Sequence, residues 1–297
     1  MINFLLIADS NYNLQLVNAI NSLDENFNLE TEGSTIYVIH KNPKSFEKYF
    51  KFVNYKKIKI IKFDKKYRVL NNIKNSHLSE VTYYRLYIDK LLGLENGYLV
   101  YFDADLFFIN NSTEIIQNAV KELKNSNKLI AAVKEDIITE NNLEYFKKLG
   151  IENIPYFNAG LIVFNLNICL QENLFERLRV KLSEIDFKLM YWDQDILNLL
   201  LKGEFLQLDY KINLGIDLTS KNKVPEKVFA IHYKGKNKPW DSKYAFKDEA
   251  AVYQKIHYRS FGTYHLTNIR SNFKIVLTKI KFFKLLKILK IQSLKWL

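Results

Sequence analysis

Cysteine is nearly absent: the 297-residue chain holds one, Cys169, along with only four prolines and nine glycines. A single thiol cannot close an internal disulfide or build a cysteine metal cluster, so a reducing compartment is expected and Cys169 reads as a small core hydrophobe. So little proline and glycine leaves no linker-like stretch, and no repeat of solenoid period recurs. No run of about 18 uncharged apolar residues occurs, which argues against a spanning helix. The apolar opening, residues 1–8, is short and lacks a basic lead, so no secretory signal is expected and the protein is assigned to the cytoplasm. Acid is missing from one end, since Glu249 is the last Asp or Glu in the chain.

What is present suffices for a full core: 48% of residues are hydrophobic and 14% aromatic, beyond the range of disordered or fibrous chains. The net charge of +12 suggests nucleic acid until its location is read. Residues 250–297 carry ten basic side chains and no acid, and subtracting these ten from +12 leaves +2 for residues 1–249. A nearly neutral body does not fit a nucleic-acid-binding surface, so two regions are expected: a catalytic domain over 1–249 and a basic C-terminal segment over 250–297. From Lys279 onward a helical projection places Phe282, Leu285, Leu286, Leu289 and Trp296 in a lysine-free sector, with Lys281, Lys284, Lys287, Lys290 and Lys295 around the other side. This amphipathic helical tail suits the surface of an anionic membrane, to which each basic residue adds about 1 kcal/mol; the alternative is a helix packed on the domain.

Short apolar runs at 4–8, 36–40, 58–63, 98–102, 129–133, 160–165 and 228–233 read as strands, several covered on both faces. Helical spacing links them, at 13–23 through Leu14, Leu16, Val17, Ile20 and Leu23, and at 81–92 through Tyr84, Leu86, Ile88 and Leu91. The alternation predicts an α/β fold with a largely parallel sheet, in which ligands bind beyond the carboxyl ends of strands.

Residues just after the runs carry the chemistry. The run 98–102 ends in Asp103-Ala104-Asp105; in an extended backbone positions i and i+2 share a side, so both carboxylates reach one hard cation, Mn²⁺ or Mg²⁺. About one Asp-x-Asp arises by chance in this length, and Asp193-Gln194-Asp195 is a second copy. That copy opens a helical pattern, where i and i+2 diverge, and is not expected to be the metal pair. Ala8-Asp9-Ser10-Asn11-Tyr12 joins a polar turn to an aromatic plane, suited to holding a base or, alternatively, to capping the next helix. His232 ends the last run and Gly235, Lys238, Pro239 and Trp240 follow it, offering a metal ligand, a close backbone approach and a phosphate-directed charge.

Taken together these motifs resemble glycosyltransferase family 8, the retaining enzymes that include bacterial lipopolysaccharide galactosyl- and glucosyltransferases and, more distantly, glycogenin. The resemblance covers roughly residues 1–245 and rests on Ala8-Asp9-x-Asn11-Tyr12, Thr82-Tyr83-Tyr84-Arg85, Asp103-x-Asp105, Tyr156-Phe157-Asn158-Ala159-Gly160, Asp193-Gln194-Asp195 and His232-x-x-Gly235-x-x-Lys238-Pro239-Trp240. It implies a GT-A fold with a Rossmann-like nucleotide-binding sheet, a UDP-sugar donor (galactose or glucose), and Mn²⁺ held by Asp103, Asp105 and His232. It also implies donor contacts from Ala8, Asp9, Asn11, Tyr12, Ala104, Asn158, Ala159, Gly160, Gly235 and Lys238, and active-site roles for Arg85, Asp193 and Gln194. The acceptor it implies is a glycolipid or oligosaccharide, with lipopolysaccharide or lipooligosaccharide core on the inner face of the cytoplasmic membrane fitting the basic tail. Ser10 stands where related enzymes often carry an acid. An acceptor-side carboxylate falls at either Glu135 or Asp136. Binding without catalysis would not need the three metal ligands, and a nucleotidyltransferase would release pyrophosphate rather than UDP.

Overall fold

A computed structural model describes residues 1–64, 67, 80–219 and 224–269. The expected amphipathic tail lies outside the described residues. Within them the strands are β1 (Ile2–Ala8), β2 (Ile36–His40), β3 (Ile58–Lys62), β4 (Tyr98–Phe102), β5 (Leu106–Phe108), β6 (Ile130–Lys134), β7 (Phe157–Asn165), β8 (Leu206–Gln207), β9 (Leu214–Gly215) and β10 (Ala230–His232). The helices are α1 (Asn13–Asn26), α2 (Lys44–Glu47), α3 (Ile88–Leu91), α4 (Thr113–Lys124), α5 (Leu143–Leu149), α6 (Leu166–Gln171), α7 (Leu174–Ser183), α8 (Asp193–Leu201) and α9 (Ala251–Phe261).

Seven strands form the main sheet in the order β3-β2-β1-β4-β7-β6-β8. Its first four are parallel, and β7 runs against both β4 and β6. Every residue of β1 is buried, because alternate side chains enter cores on opposite faces. Phe4 and Leu6 join one core with Val100, Phe102, α1 and α9, whereas Leu5 and Ile7 join the other with Leu99, Tyr101, α7 and α8. Cys169 is fully buried in the second core, as a small hydrophobe should be.

The helix expected over 81–92 is instead a 3₁₀ run, Glu80–Tyr87, continued by the single turn of α3. Val81, Tyr83, Tyr84, Arg85 and Leu86 are all buried, and Tyr84 stacks on Phe63 at 3.5 Å. Contacts on every side of this segment override its amphipathic pattern.

Two features bring the site together. The edge where β1, β4 and β6 end is also where the reversed β7 begins, and the β6–β7 register slips there between Ala132 and Val133. Ala159 and Gly160 lie within the resulting bulge, a device that re-aims backbone toward a site, and Gly160 accepts a bond from the Asp103 N–H. The second feature is a small sheet, β5-β10-β9, in which His232 pairs with Leu106, one residue beyond Asp105.

The first part of the segment expected to meet a membrane is folded: α9 packs on α1, with Tyr253, Ile256 and His257 buried. Residues 265–268 then bind the loop after Lys238, through Thr267 N–H to Trp240 O (2.7 Å) and Ser242 N–H to Thr267 O (3.0 Å). Among the described residues no helix is long and apolar enough to cross a membrane.

Candidate active site

Asp103, Ala104 and Asp105 occupy a tight turn between β4 and β5, closed by the Leu106 N–H on Asp103 O. The backbone is therefore not extended between the two carboxylates, contrary to the expectation from strand geometry. Their convergence comes from the turn and from β10, which sets His232 Nε2 3.3 Å from Asp105 Oδ1 and 3.6 Å from Asp103 Oδ2. One ligand atom from each residue lies within 4.8 Å of the others, the only such trio of metal-ligating side chains among the described residues. Two hard carboxylates and one imidazole suit Mn²⁺ or Mg²⁺. Asn213 Oδ1 lies 2.9 Å from His232 Nδ1, the outer-shell contact typical of a ligating histidine.

Lys238 Nζ bonds the Asp105 carboxylate and the Tyr233 carbonyl. Burial alone would raise the Asp105 carboxyl, but Lys238 and His232 hold it well below the ordinary carboxylate range. Gly235 sits at φ +74° in the turn that lets Lys238 reach back; this left-handed conformation favours glycine. Ala104 is buried inside the turn.

Arg85 is 3% exposed and joins the two halves of the site. Its guanidinium donates to Ala159 O (2.6 Å), Tyr101 Oη (2.7 Å) and Asp103 Oδ1 (3.2 Å), and pairs with Asp193 Oδ2 at 2.8 Å. It also lies 3.9 Å from the Tyr101 ring centroid. Burial pushes the Asp193 carboxyl up to about 6, against the pull of Arg85. Trp192, immediately before Asp193, takes φ +50°, a strained value for a bulky residue and one that clusters at functional sites.

Asp193 and Asp195 diverge, as expected for the first turn of a helix. Asp195 accepts from Tyr145 Oη, Tyr156 Oη and the Tyr191 N–H, so it braces the wall rather than facing the carboxylate pair. Gln194 Oε1 accepts the Ala159 N–H (2.9 Å), and its amide donates to Tyr156 Oη (3.2 Å). Asn158 donates to Glu135 Oε2 (2.9 Å), and Lys234 pairs with the same carboxylate. Of the two carboxylates Glu135 and Asp136, Glu135 is the one that meets site residues, whereas Asp136 is 88% exposed and pairs with Lys134.

At the other end of the site, Asp9 accepts the Asn11 N–H at 2.8 Å and caps a 3₁₀ turn, Ser10–Tyr12. Ala8 is buried and accepts from the Lys41 N–H, and Asn11 is exposed. Tyr12 meets Trp240 edge-on at 5.8 Å. Its phenol is raised well above the ordinary range by burial and by Asp105, Asp103 and Asp9, so it remains a neutral ring beside the carboxylates. Contacts thus join Arg85, Asp103, Asp105, Asn158, Ala159, Gly160, Asp193, Gln194, His232 and Lys238, while Ala8, Asp9 and Asn11 lie at or just beyond the end of β1, which pairs in parallel with β4. Sequence reasoning missed Tyr101, Asn213 and Lys234, and named Tyr156 only as the first residue of a motif. Only Tyr101, two residues before Asp103 on β4, carried a usable signal; Asn213 lies between two apolar residues and carried none.

The family model described as glycosyl transferase family 8 matches residues 3–244. A lipopolysaccharide 1,2-glucosyltransferase of Escherichia coli K12 is 30% identical over 54% of this chain and 49% of its own length. A lipopolysaccharide 1,3-galactosyltransferase of Salmonella typhimurium LT2 is 28% identical over 54% and 49%. The chain thus spans about half the length of these curated relatives. Among solved structures, the galactosyltransferase LgtC, in complex with donor and acceptor sugar analogues, superposes with a TM-score of 0.65 at 18% identity, over 91% of this chain and 99% of its own. The glycosyltransferase GlyE of Streptococcus pneumoniae gives 0.59 at 18% identity, over 86% and 59%. These likenesses show a common fold, the GT-A arrangement implied by the sequence motifs.

Proposed function

The chain belongs to glycosyl transferase family 8, and from that premise we propose that it transfers galactose or glucose from a UDP-sugar to a glycan acceptor with retention of anomeric configuration. The observation that carries this reading is the meeting of Asp103, Asp105 and His232 beside Lys238 and the buried Arg85–Asp193 pair. Asp103, Asp105 and His232 would hold Mn²⁺ or Mg²⁺, whose charge offsets the negative charge that grows on the departing UDP.

The chain's own groups do the remaining work. Asp9, Asn11 and Tyr12 orient the uridine, with Ala8, Ala104 and Gly235 giving backbone access, and Lys238 faces the diphosphate. Arg85 holds Asp193 ionised against burial, so that Asp193 accepts from a sugar hydroxyl. The bulge at Ala159 and Gly160, with Asn158, shapes the donor-sugar floor. Gln194 has its carbonyl oxygen engaged by the Ala159 N–H, which favours positioning over attack. Front-face substitution follows: the bond between the anomeric carbon and the phosphate oxygen breaks as the acceptor oxygen joins on the same face, and the acceptor proton passes to the leaving phosphate.

A lipid-linked acceptor, such as a lipopolysaccharide or lipooligosaccharide core, is supported by the names of the curated relatives and by the acid-free basic segment after Glu249. The enzyme then works in the cytoplasm, peripherally on the inner face of the membrane. The fold of α9 favours an anchor that begins beyond residue 269, with the catalytic domain reaching to that point. Incubation with UDP-galactose or UDP-glucose and Mn²⁺, without acceptor, tests the function by slow UDP release. Release should vanish with EDTA and in Asp103→Asn at an unchanged melting temperature. If neither UDP-hexose yields UDP, or if thorough EDTA treatment leaves release intact, the proposal fails.

A further inference from the structure

A buried line of amides runs from the cation site to the sugar floor, and the direction of each bond follows from one donor that cannot reverse. The Gly160 backbone N–H lies 2.9 Å from Asn158 Oδ1. A backbone N–H only donates, so this Asn158 atom is the carbonyl oxygen. Its amide nitrogen therefore points to the Glu135 carboxylate, an acceptor, at 2.9 Å. The second contact to Asn158 Oδ1, from Asn213 at 2.9 Å, must then come from the Asn213 amide nitrogen. That leaves Asn213 Oδ1 facing His232 Nδ1 at 2.9 Å. Nδ1 must carry a proton, which makes Nε2, facing Asp103 and Asp105, the ring nitrogen placed to ligate a cation.

We infer that Asn213 is a positioning residue with two arms: its carbonyl fixes the His232 tautomer that can ligate a cation, and its amide steadies Asn158 at the sugar floor. It touches neither the reacting atoms nor the carboxylate pair. The inference rests on the metal-site reading above for its consequence, but the tautomer itself does not depend on a metal. Asn213 is 6% exposed and Asn158 8%, so water does not readily replace either arm, and the amide direction is held by the network alone.

Long-range ¹H–¹⁵N correlations on ¹⁵N-histidine-labelled, metal-free full chain, assigned with His232→Gln, read the tautomer directly. The expected pattern is a protonated Nδ1 for His232; an unprotonated Nδ1 overturns the inference whatever the protein's activity. Mn²⁺ titration in the presence of UDP, followed by the electron paramagnetic resonance of free Mn²⁺, tests the consequence. Asn213→Leu removes both arms and should weaken Mn²⁺ about 10- to 100-fold. Asn213→Asp keeps an acceptor for Nδ1–H but cannot donate to Asn158, so its Mn²⁺ affinity should stay within about threefold of wild type while its kcat/KM for UDP-hexose hydrolysis falls. Melting curves in EDTA identify variants that retain the fold. Equal Mn²⁺ loss in both folded variants, or Mn²⁺ affinity unchanged in Asn213→Leu, overturns the two-armed role. A wild-type protein that binds no Mn²⁺ with UDP refutes the metal-site reading separately, while the tautomer result stands by itself.

Discussion

Gly160→Ala should disable the site by moving one ring. A Cβ added at Gly160 would lie 2.2 Å from His232 Cε1 and 2.5 Å from Nδ1. Ordinary contact begins near 3.4 Å, so the ring must recede by about 1.2 Å. It cannot do so freely, because Nδ1 is held by Asn213 and the backbone on either side belongs to β10 and its turn. Nε2 now stands 3.3 Å from Asp105 and 3.6 Å from Asp103, and a displacement of that size would take it out of the proposed coordination sphere. A misplacement of about 1 Å at a catalytic centre costs on the order of 10²-fold in rate, and overpacking of a buried position costs about 1–3 kcal/mol. Mn²⁺-dependent UDP release from UDP-hexose should accordingly fall about 100-fold, with a modest drop in melting temperature. Retention of wild-type release within about threefold, with the melting temperature unchanged, would show that the His232 ring tolerates the added methyl group.

Asp193 gives a pH signature: its folded carboxyl stands at about 6 against an ordinary 3.8, so between roughly pH 4 and 6 the folded state binds more protons than the unfolded chain. Its contribution to stability is complete below that window and is lost as pH rises through it, by up to about 3 kcal/mol. Urea unfolding at pH 4 and pH 6.5 should show this difference in wild type and not in Asp193→Asn, and the opposite slope would contradict it. If Asp193 acts as proposed, as an ionised acceptor paired with Arg85, activity should rise through the same window. UDP with Mn²⁺ should raise the melting temperature more than GDP or CMP does, with about 2.7 kcal/mol of stabilisation expected at 100 times the dissociation constant; equal protection by all three argues against a uridine site. Deleting residues 270–297 should release the enzyme from anionic liposomes at low salt and spare UDP-hexose hydrolysis, since the cut falls after the contacts of Thr267 with Trp240 and Ser242. A truncated chain that still sediments with the vesicles would sink the anchor.

Seven of the ten strands, with the residues that end them, are legible in the sequence, whereas β5, β8 and β9, of two or three residues each, were not read from it. Buried strands declare themselves as continuous β-branched and aromatic runs, and polar residues at their carboxyl ends mark a ligand edge in any parallel sheet. Asp103, Asp105, His232 and the divergence of Asp193 from Asp195 were legible for that reason, because each follows from local period or spacing. Only tertiary structure decided how they meet. The carboxylates converge through a turn and a second sheet rather than along an extended strand. That Glu135 rather than Asp136 borders the site depends on β7 running backward and bulging beside β6, which brings Asn158 opposite one side chain and leaves its neighbour in solvent. The 3₁₀ winding around Arg85 answers to packing on all sides, and Asn213 matters through partners 19 and 55 residues away in the chain. Contacts of that separation are set by crossovers and register, which no window of neighbouring residues contains.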